Sequence, residues 1–242
     1  LPRTLFVSAS GINRAYDGTT NTFVNITDNR VAGDIVTFDY AASFLDKNIG
    51  TNKFVNVTIS ALTGPDGGNY VLAANPSTFA DVTKLTIAFT PVVTTKVYDG
   101  TTSATATLAT NIAAGDALTV TFRDVAFANA NAGTGKLVTV TGINVSGDLS
   151  NYNWSPSNTT ATGQGTITPF SVNLTGSRVY NGSTSIAAAN MVIGSLVNNE
   201  TLILTGAGSM ADRNVGTNKV VDPTGFQLLN GTGPRAGLAS NY

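Results

Sequence analysis

A block of five residues returns twice in this chain at a constant interval. Tyr16-Asp17-Gly18-Thr19-Thr20 comes back as Tyr98-Asp99-Gly100-Thr101-Thr102 and, loosened, as Tyr180-Asn181-Gly182-Ser183-Thr184, with both intervals 82 residues. A second block follows each copy. Asn48-Ile49-Gly50-Thr51-Asn52-Lys53 is matched by Asn131-Ala132-Gly133-Thr134-Gly135-Lys136 and by Asn214-Val215-Gly216-Thr217-Asn218-Lys219, at intervals of 83. A third mark, Asn-Tyr, stands at Asn69-Tyr70, Asn151-Tyr152 and Asn241-Tyr242. Three marks in one order, three times over, identify a tandem repeat, so the chain must fold as copies of one supersecondary unit.

The phase of the repeat sets the modules at about 1–90, 91–169 and 170–242. The third is C-terminally incomplete: the first two copies continue past their Asn-Tyr mark through an alternating run that reads as a closing strand, and the third does not. The expectation is a chain that stops inside a unit, with the third unit least protected in hydrogen exchange. The alternative is a missing strand supplied from elsewhere. The opening Leu1-Pro2-Arg3-Thr4 has neither Met nor a basic segment leading a signal-peptide core, and reads as an internal part of a longer chain.

Period-two alternation marks the units as β. Phe54 and Asn56 fall on one face of Lys53 to Ile59 while Val55, Val57 and Ile59 share the other, and Lys136 to Thr141 repeats the scheme. Further predicted strands in the first copy are Leu5 to Ala9, Thr20 to Ile26, Asp34 to Tyr40 and Lys84 to Phe89, all rich in Val, Ile, Thr and aromatics. The best helical window, Tyr40 to Asp46, has room for a turn or two. Six or seven short strands per unit predict small antiparallel β-sandwiches of immunoglobulin-like kind, in an elongated tandem array. Asp66 before Tyr70 and Asp148 before Tyr152 permit a tyrosine corner, whose hydroxyl returns to nearby backbone; an ordinary turn before an aromatic strand residue is the other reading.

Composition narrows the chemistry. Thirteen basic against 14 acidic residues leave a net charge of −1, which favours neither nucleic acid nor an anionic membrane surface. No apolar run reaches the roughly 18 residues of a membrane helix. Without Cys or His there are no disulfides, thiolate nucleophiles or Ser-His-Asp triads, and almost no route to zinc. Nothing selects a carboxylate pair such as Asp34 and Asp46 for general acid and base work, so no enzyme, catalytic residue or cofactor is predicted.

Each recurring motif has a structural and a functional reading. Tyr16-Asp17-Gly18, and its copies at Tyr98-Asp99-Gly100 and Tyr180-Asn181-Gly182, read as turns, with Asp or Asn accepting backbone hydrogen bonds and Gly supplying a positive φ; a ligand loop is the alternative. Lys53, Lys136 and Lys219 sit at one strand position near turn-borne Asn or Asp. They are solvated lysines covering apolar surface, or isopeptide staples that would lower the intact mass by about 17 Da per bond. Asp17, Asp34, Asp99 and Asp116 recur in phase, yet no calcium-loop pattern accompanies them. Asn-x-Ser/Thr sequons such as Asn25-Ile26-Thr27 are numerous, as this composition generates by chance, and Thr105 to Thr110 reads as an ordinary strand rather than a threonine array.

The run from Tyr98-Asp99-Gly100-Thr101-Thr102, through Gly133-Thr134-Gly135-Lys136-Leu137-Val138, to Asn151-Tyr152 and Gly165-Thr166-Ile167-Thr168-Pro169 resembles the bacterial YDG-domain family, and the resemblance covers nearly the whole chain. Copy three departs with Asn181 and Ser183. The resemblance implies tandem units of very large surface-exposed or secreted proteins, especially filamentous-haemagglutinin-like adhesins exported by two-partner secretion at the outer surface of Gram-negative bacteria. A chain without Cys suits such export. The function expected is a structural stalk that holds a distal region away from the cell, its bending limited by prolines near Thr90-Pro91 and Pro169-Phe170. The alternative is an adhesive module that binds host glycan or protein through loops at one end of each sandwich, with Trp154 and Tyr152 as an exposed aromatic patch. Expected partners are neighbouring repeats of the same polypeptide, in a monomer.

Overall fold

The computed structural model describes residues 1–242. Half of the residues lie in strands, the sheets are curled, and no helix exceeds three residues. The all-β expectation holds. Instead of immunoglobulin-like sandwiches, small sheets of two to five strands form, several of them closed by parallel pairs.

Two compact bodies emerge, and neither follows a sequence repeat. The first gathers Leu1–Phe89, Thr110–Thr121 and Ile143–Thr159; the second gathers Thr90–Ala109, Phe122–Gly142 and Thr160–Tyr242. The middle repeat therefore contributes to both.

In the first body a five-stranded sheet runs in the order Arg14–Ala15, Ser77–Thr83, Gly50–Thr63, Thr37–Phe44, Asn21–Thr22. Its strands are antiparallel except for the Arg14–Ala15 pairing with Ser77–Thr83, which is parallel. Alternation decides its faces as the sequence indicates: Val55, Val57 and Ile59 are buried, while Phe54 points outward onto Phe79 with ring centroids 5.7 Å apart. Tyr40 to Phe44, the one helical candidate, is strand, because Ala42 and Phe44 are needed in the core and only an extended chain sends both to the same face.

In the second body the order is Lys96–Val97, Thr160–Thr168, Gly133–Thr141, Asp124–Phe127. The YDG-leading strand is again parallel to the closing strand, at Lys96↔Ile167 and Val97↔Thr168. Val138 and Val140 are buried in place of Val55 and Val57. The third repeat contributes Ser185–Ala187, Leu202–Met210 and Val221–Asp222 in one sheet, with Phe226–Asn230 also pairing Leu202–Met210.

Two local expectations are corrected. Pro91 is no linker: it is buried within the strand Phe89–Val93, and the first repeat passes into the second with a single residue, Lys84, between Ser77–Thr83 and Leu85–Thr86. The hydroxyls of Tyr70, Tyr152 and Tyr242 do not return to nearby backbone as a tyrosine corner would. Each accepts the amide N–H of a distant loop, from Val31 at 2.9 Å, Ala113 at 3.0 Å and Val197 at 3.2 Å. The curled sheets bring that earlier loop beneath the ring, so the nearest free donor is 39 to 45 residues upstream.

Candidate functional site: a tyrosine and carboxylate joint

The YDG block is a turn. Asp17 Oδ1 accepts the Thr19 amide at 2.8 Å and the Thr19 hydroxyl at 2.9 Å, and Asp99 does the same for Thr101, with both bonds 2.8 Å. Asn181 accepts the Ser183 amide at 3.1 Å. Gly18, Gly100 and Gly182 all have positive φ, at 81°, 75° and 77°. A basic residue three positions before the Asp or Asn braces each turn: Arg14 on Asp17 at 2.6 Å, Lys96 on Asp99 at 2.7 Å, and Arg178 on Asn181. Burial would raise both carboxyls, but the Thr hydrogen bonds and the adjacent cation outweigh it and leave Asp17 and Asp99 below their ordinary range.

The turn serves to aim its tyrosine. In the first body Tyr16 is 1% exposed and donates its hydroxyl to Asp116 Oδ2 at 2.7 Å. The same oxygen accepts Tyr152 at 2.8 Å, and the two rings meet edge to face with centroids 5.5 Å apart. Lys47 Nζ closes the cluster on Asp116 Oδ1 at 2.6 Å. Beside it, the buried Asn151 accepts the Ile49 amide at 3.0 Å and donates to Asn48 Oδ1 at 3.1 Å. Tyr16, Lys47, Asn48 and Ile49 belong to repeat one, while Asp116, Asn151 and Tyr152 belong to repeat two.

The second body rebuilds this cluster from the next pair of repeats. Tyr98 donates to Glu200 Oε1 at 2.6 Å, Tyr242 donates to Glu200 Oε2 at 2.9 Å, and their rings meet edge to face at 5.6 Å. Asn241 accepts the Ala132 amide at 2.8 Å and donates to Asn131 Oδ1 at 3.2 Å. Every mark that defines the repeat in sequence thus lands in one joint: the YDG tyrosine and the Asn-x-Gly loop of one repeat, the acid and the Asn-Tyr pair of the following one. The acid is the residue that sequence reasoning missed. Asp34 and Asp116 were visible in phase, but Glu200 changes residue type and shifts the interval to 84.

Electrostatics follow from this packing. The hydrogen bonds from Lys47 and then Tyr16 hold Asp116 down at about 2 against the opposing effect of burial. Burial and then the carboxylate partner raise Tyr16 and Tyr152, push Tyr98 up to about 12 and raise Tyr242. A phenol in these joints is held neutral, as a donor. Tyr70 makes the half of the joint available within its own repeat, donating to Asp34 Oδ2 at 2.5 Å. Tyr180 meets no carboxylate and is 57% exposed.

The recurring lysines fasten the Asn-x-Gly loop to its own start. Lys53 reaches Asp46 Oδ1 at 2.6 Å, Lys136 reaches Asn129 Oδ1 at 2.6 Å, and Lys219 reaches Asp212. Each partner lies seven residues upstream and accepts the amide two residues on, from Asn48, Asn131 and Asn214. Asp46 and Asp212 are lowered by their lysines and face solvent, so both partners of those pairs are ionised; condensation to an amide needs a neutral amine and a protonated acid in a dry site. The geometry is that of an ion pair or hydrogen bond rather than of an isopeptide.

The in-phase aspartates do not converge: Asp17 and Asp99 close turns while Asp34 and Asp116 receive tyrosines, and no three acidic side chains gather. Tyr152 is buried at 2% exposure and Trp154 packs against the core around Val145, so this pair is no open aromatic patch. The folding reason is that the ring of Tyr152 fills the joint. No helix is long and apolar enough to cross a membrane.

A family model described as the YDG domain matches residues 1–78, 82–161 and 164–242. No curated protein and no solved structure matches the chain. With three matches in tandem across nearly its whole length, and the YDG tyrosines of the first two copies built into one recurring joint, the chain belongs to the YDG-domain family.

Proposed function

We propose that this chain is a structural spacer, a run of stalk repeats in a large surface-exposed or secreted bacterial adhesin that holds a distal region away from the cell. The observation that carries the reading is the recurrence of the joint. Residues repeated within this sequence are spent on fastening one repeat to the next, and the buried members of the joint leave no side chain open to a ligand. A spacer needs each repeat to hold its neighbour in one orientation, which buried, fully paired hydrogen bonds accomplish better than an apolar contact free to slide.

Solution scattering tests it. Three repeats set end to end would reach roughly 100 to 120 Å. A radius of gyration near the about 18 Å of a compact globule of this length would sink the proposal. The adhesive alternative loses the residues first assigned to it, since Tyr152 is inside the joint.

A further inference from the structure

In the two complete repeats the closing strand lies in a slot with a wall on each side. Val82 pairs with Arg14 on its parallel side and with Gly50 on its antiparallel side. Ile167 in the next repeat pairs likewise with Lys96 and Gly133. Ala80 and Val82, or Gly165 and Ile167, face inward, and Gly165 lies so close to the Phe127 ring that a Cβ there would meet it at 2.9 Å.

The third repeat has both walls and nothing between them. One wall is the stretch before the Tyr180-Asn181-Gly182 turn. The other is the loop from Asn214 leading into Val221–Asp222, whose only strand partner is Leu202–Met210. They enclose a groove of about 330 Å³ floored by Ile186 and Met210. Both walls keep the conformation of the filled repeats: Gly182 has φ 77° beside 81° and 75° in its counterparts, and Asn218 has φ 56° where Asn52 has 50° and Gly135 61°. Val221, the counterpart of the fully buried Val55 and Val138, is only half-buried.

We infer that this groove is an acceptor for a free extended strand, running parallel to Arg178 and Val179 and antiparallel to the Lys219 to Asp222 stretch, with small or branched apolar side chains at alternate inward positions. The filled repeats of the same chain supply the template, both in register and in the size of the inward residues. Main-chain hydrogen bonds along two edges would give affinity and the alternate pockets selectivity. The occupant is a strand with no sheet of its own, because both closing strands of a second copy are already paired. This inference stands apart from the spacer reading.

The test uses the whole chain and a synthetic peptide with the sequence of residues 160–170. Amide exchange at residues 178–180 and 219–222 should slow by at least about tenfold at saturation, while the first body is unchanged. The same peptide carrying Ile167→Asp should give no protection, and this variant leaves the host chain untouched. No protection at about 1 mM peptide would overturn the inference. So would equal protection by both peptides, or a concentration-dependent dimer that the peptide does not dissolve, since a second copy would then be the occupant.

Discussion

Tyr16 donates its hydroxyl to Asp116 at 2.7 Å, across 100 residues of chain, and Tyr98 repeats the contact with Glu200 across 102. The residue that names the repeat therefore works in the repeat that follows it. This accounts for a tyrosine at a turn that Asp and Gly alone could build.

Tyr16→Phe is expected to cost about 1.5 kcal/mol, because Asp116 loses one charge-assisted bond but keeps two others. Tyr180→Phe, at an exposed ring with no carboxylate, should change stability by less than about 0.5 kcal/mol. Urea denaturation of the two variants reads the difference; equal costs would remove the joint from the stability of the chain.

Asn151→Ala should cost about 2 kcal/mol, since it leaves the Ile49 amide and Asn48 without partners in a buried place. Asn69 holds the same sequence position at the exposed start of repeat one, and Asn69→Ala should be close to neutral. Thermal melts of both variants compare the two positions directly.

Acid should loosen the first joint. Asp116 titrates at about 2 in the folded chain and near 3.9 when unfolded, so its contribution is full above about pH 4 and lost as pH falls toward 2. Lys47→Met should lower stability at neutral pH and make the decline between pH 4 and 2 shallower, as followed by circular dichroism. At the other extreme Tyr98 is raised to about 12, so the second joint keeps its strength below about pH 10 and loses it as pH climbs toward 12. Tyr98→Phe should flatten that alkaline decline.

Gly18→Ala adds a Cβ that meets Ala113 Cβ at 2.8 Å on top of the positive φ, and is expected to cost about 2 kcal/mol. Gly182→Ala meets nothing within 4 Å and should cost about 1 kcal/mol, the backbone strain alone. A reversed order would mean that the turn, not the packing of the following repeat, sets the requirement for glycine.

The intact mass should equal the full calculated value. An amide at Lys53 with Asp46 or Lys219 with Asp212 would remove about 18 Da each, and one at Lys136 with Asn129 about 17 Da. Any such deficit would contradict the ion-pair reading.

The strands and their faces were legible in the chain itself. Alternation at Val55, Val57 and Ile59, the turn chemistry of Asp17-Gly18 and the repeat phase are properties of neighbours within a few residues, and local sterics and burial translate them directly into structure. The joint was not legible. Tyr16, Asn48, Asp116 and Tyr152 each have an adequate local explanation, and only the curl of the sheets brings them together. Trp154 and Tyr152 looked like an exposed patch for the same reason: an aromatic side chain has the same letter in a core as on a surface, and which it becomes depends on what the following or preceding repeat lays against it.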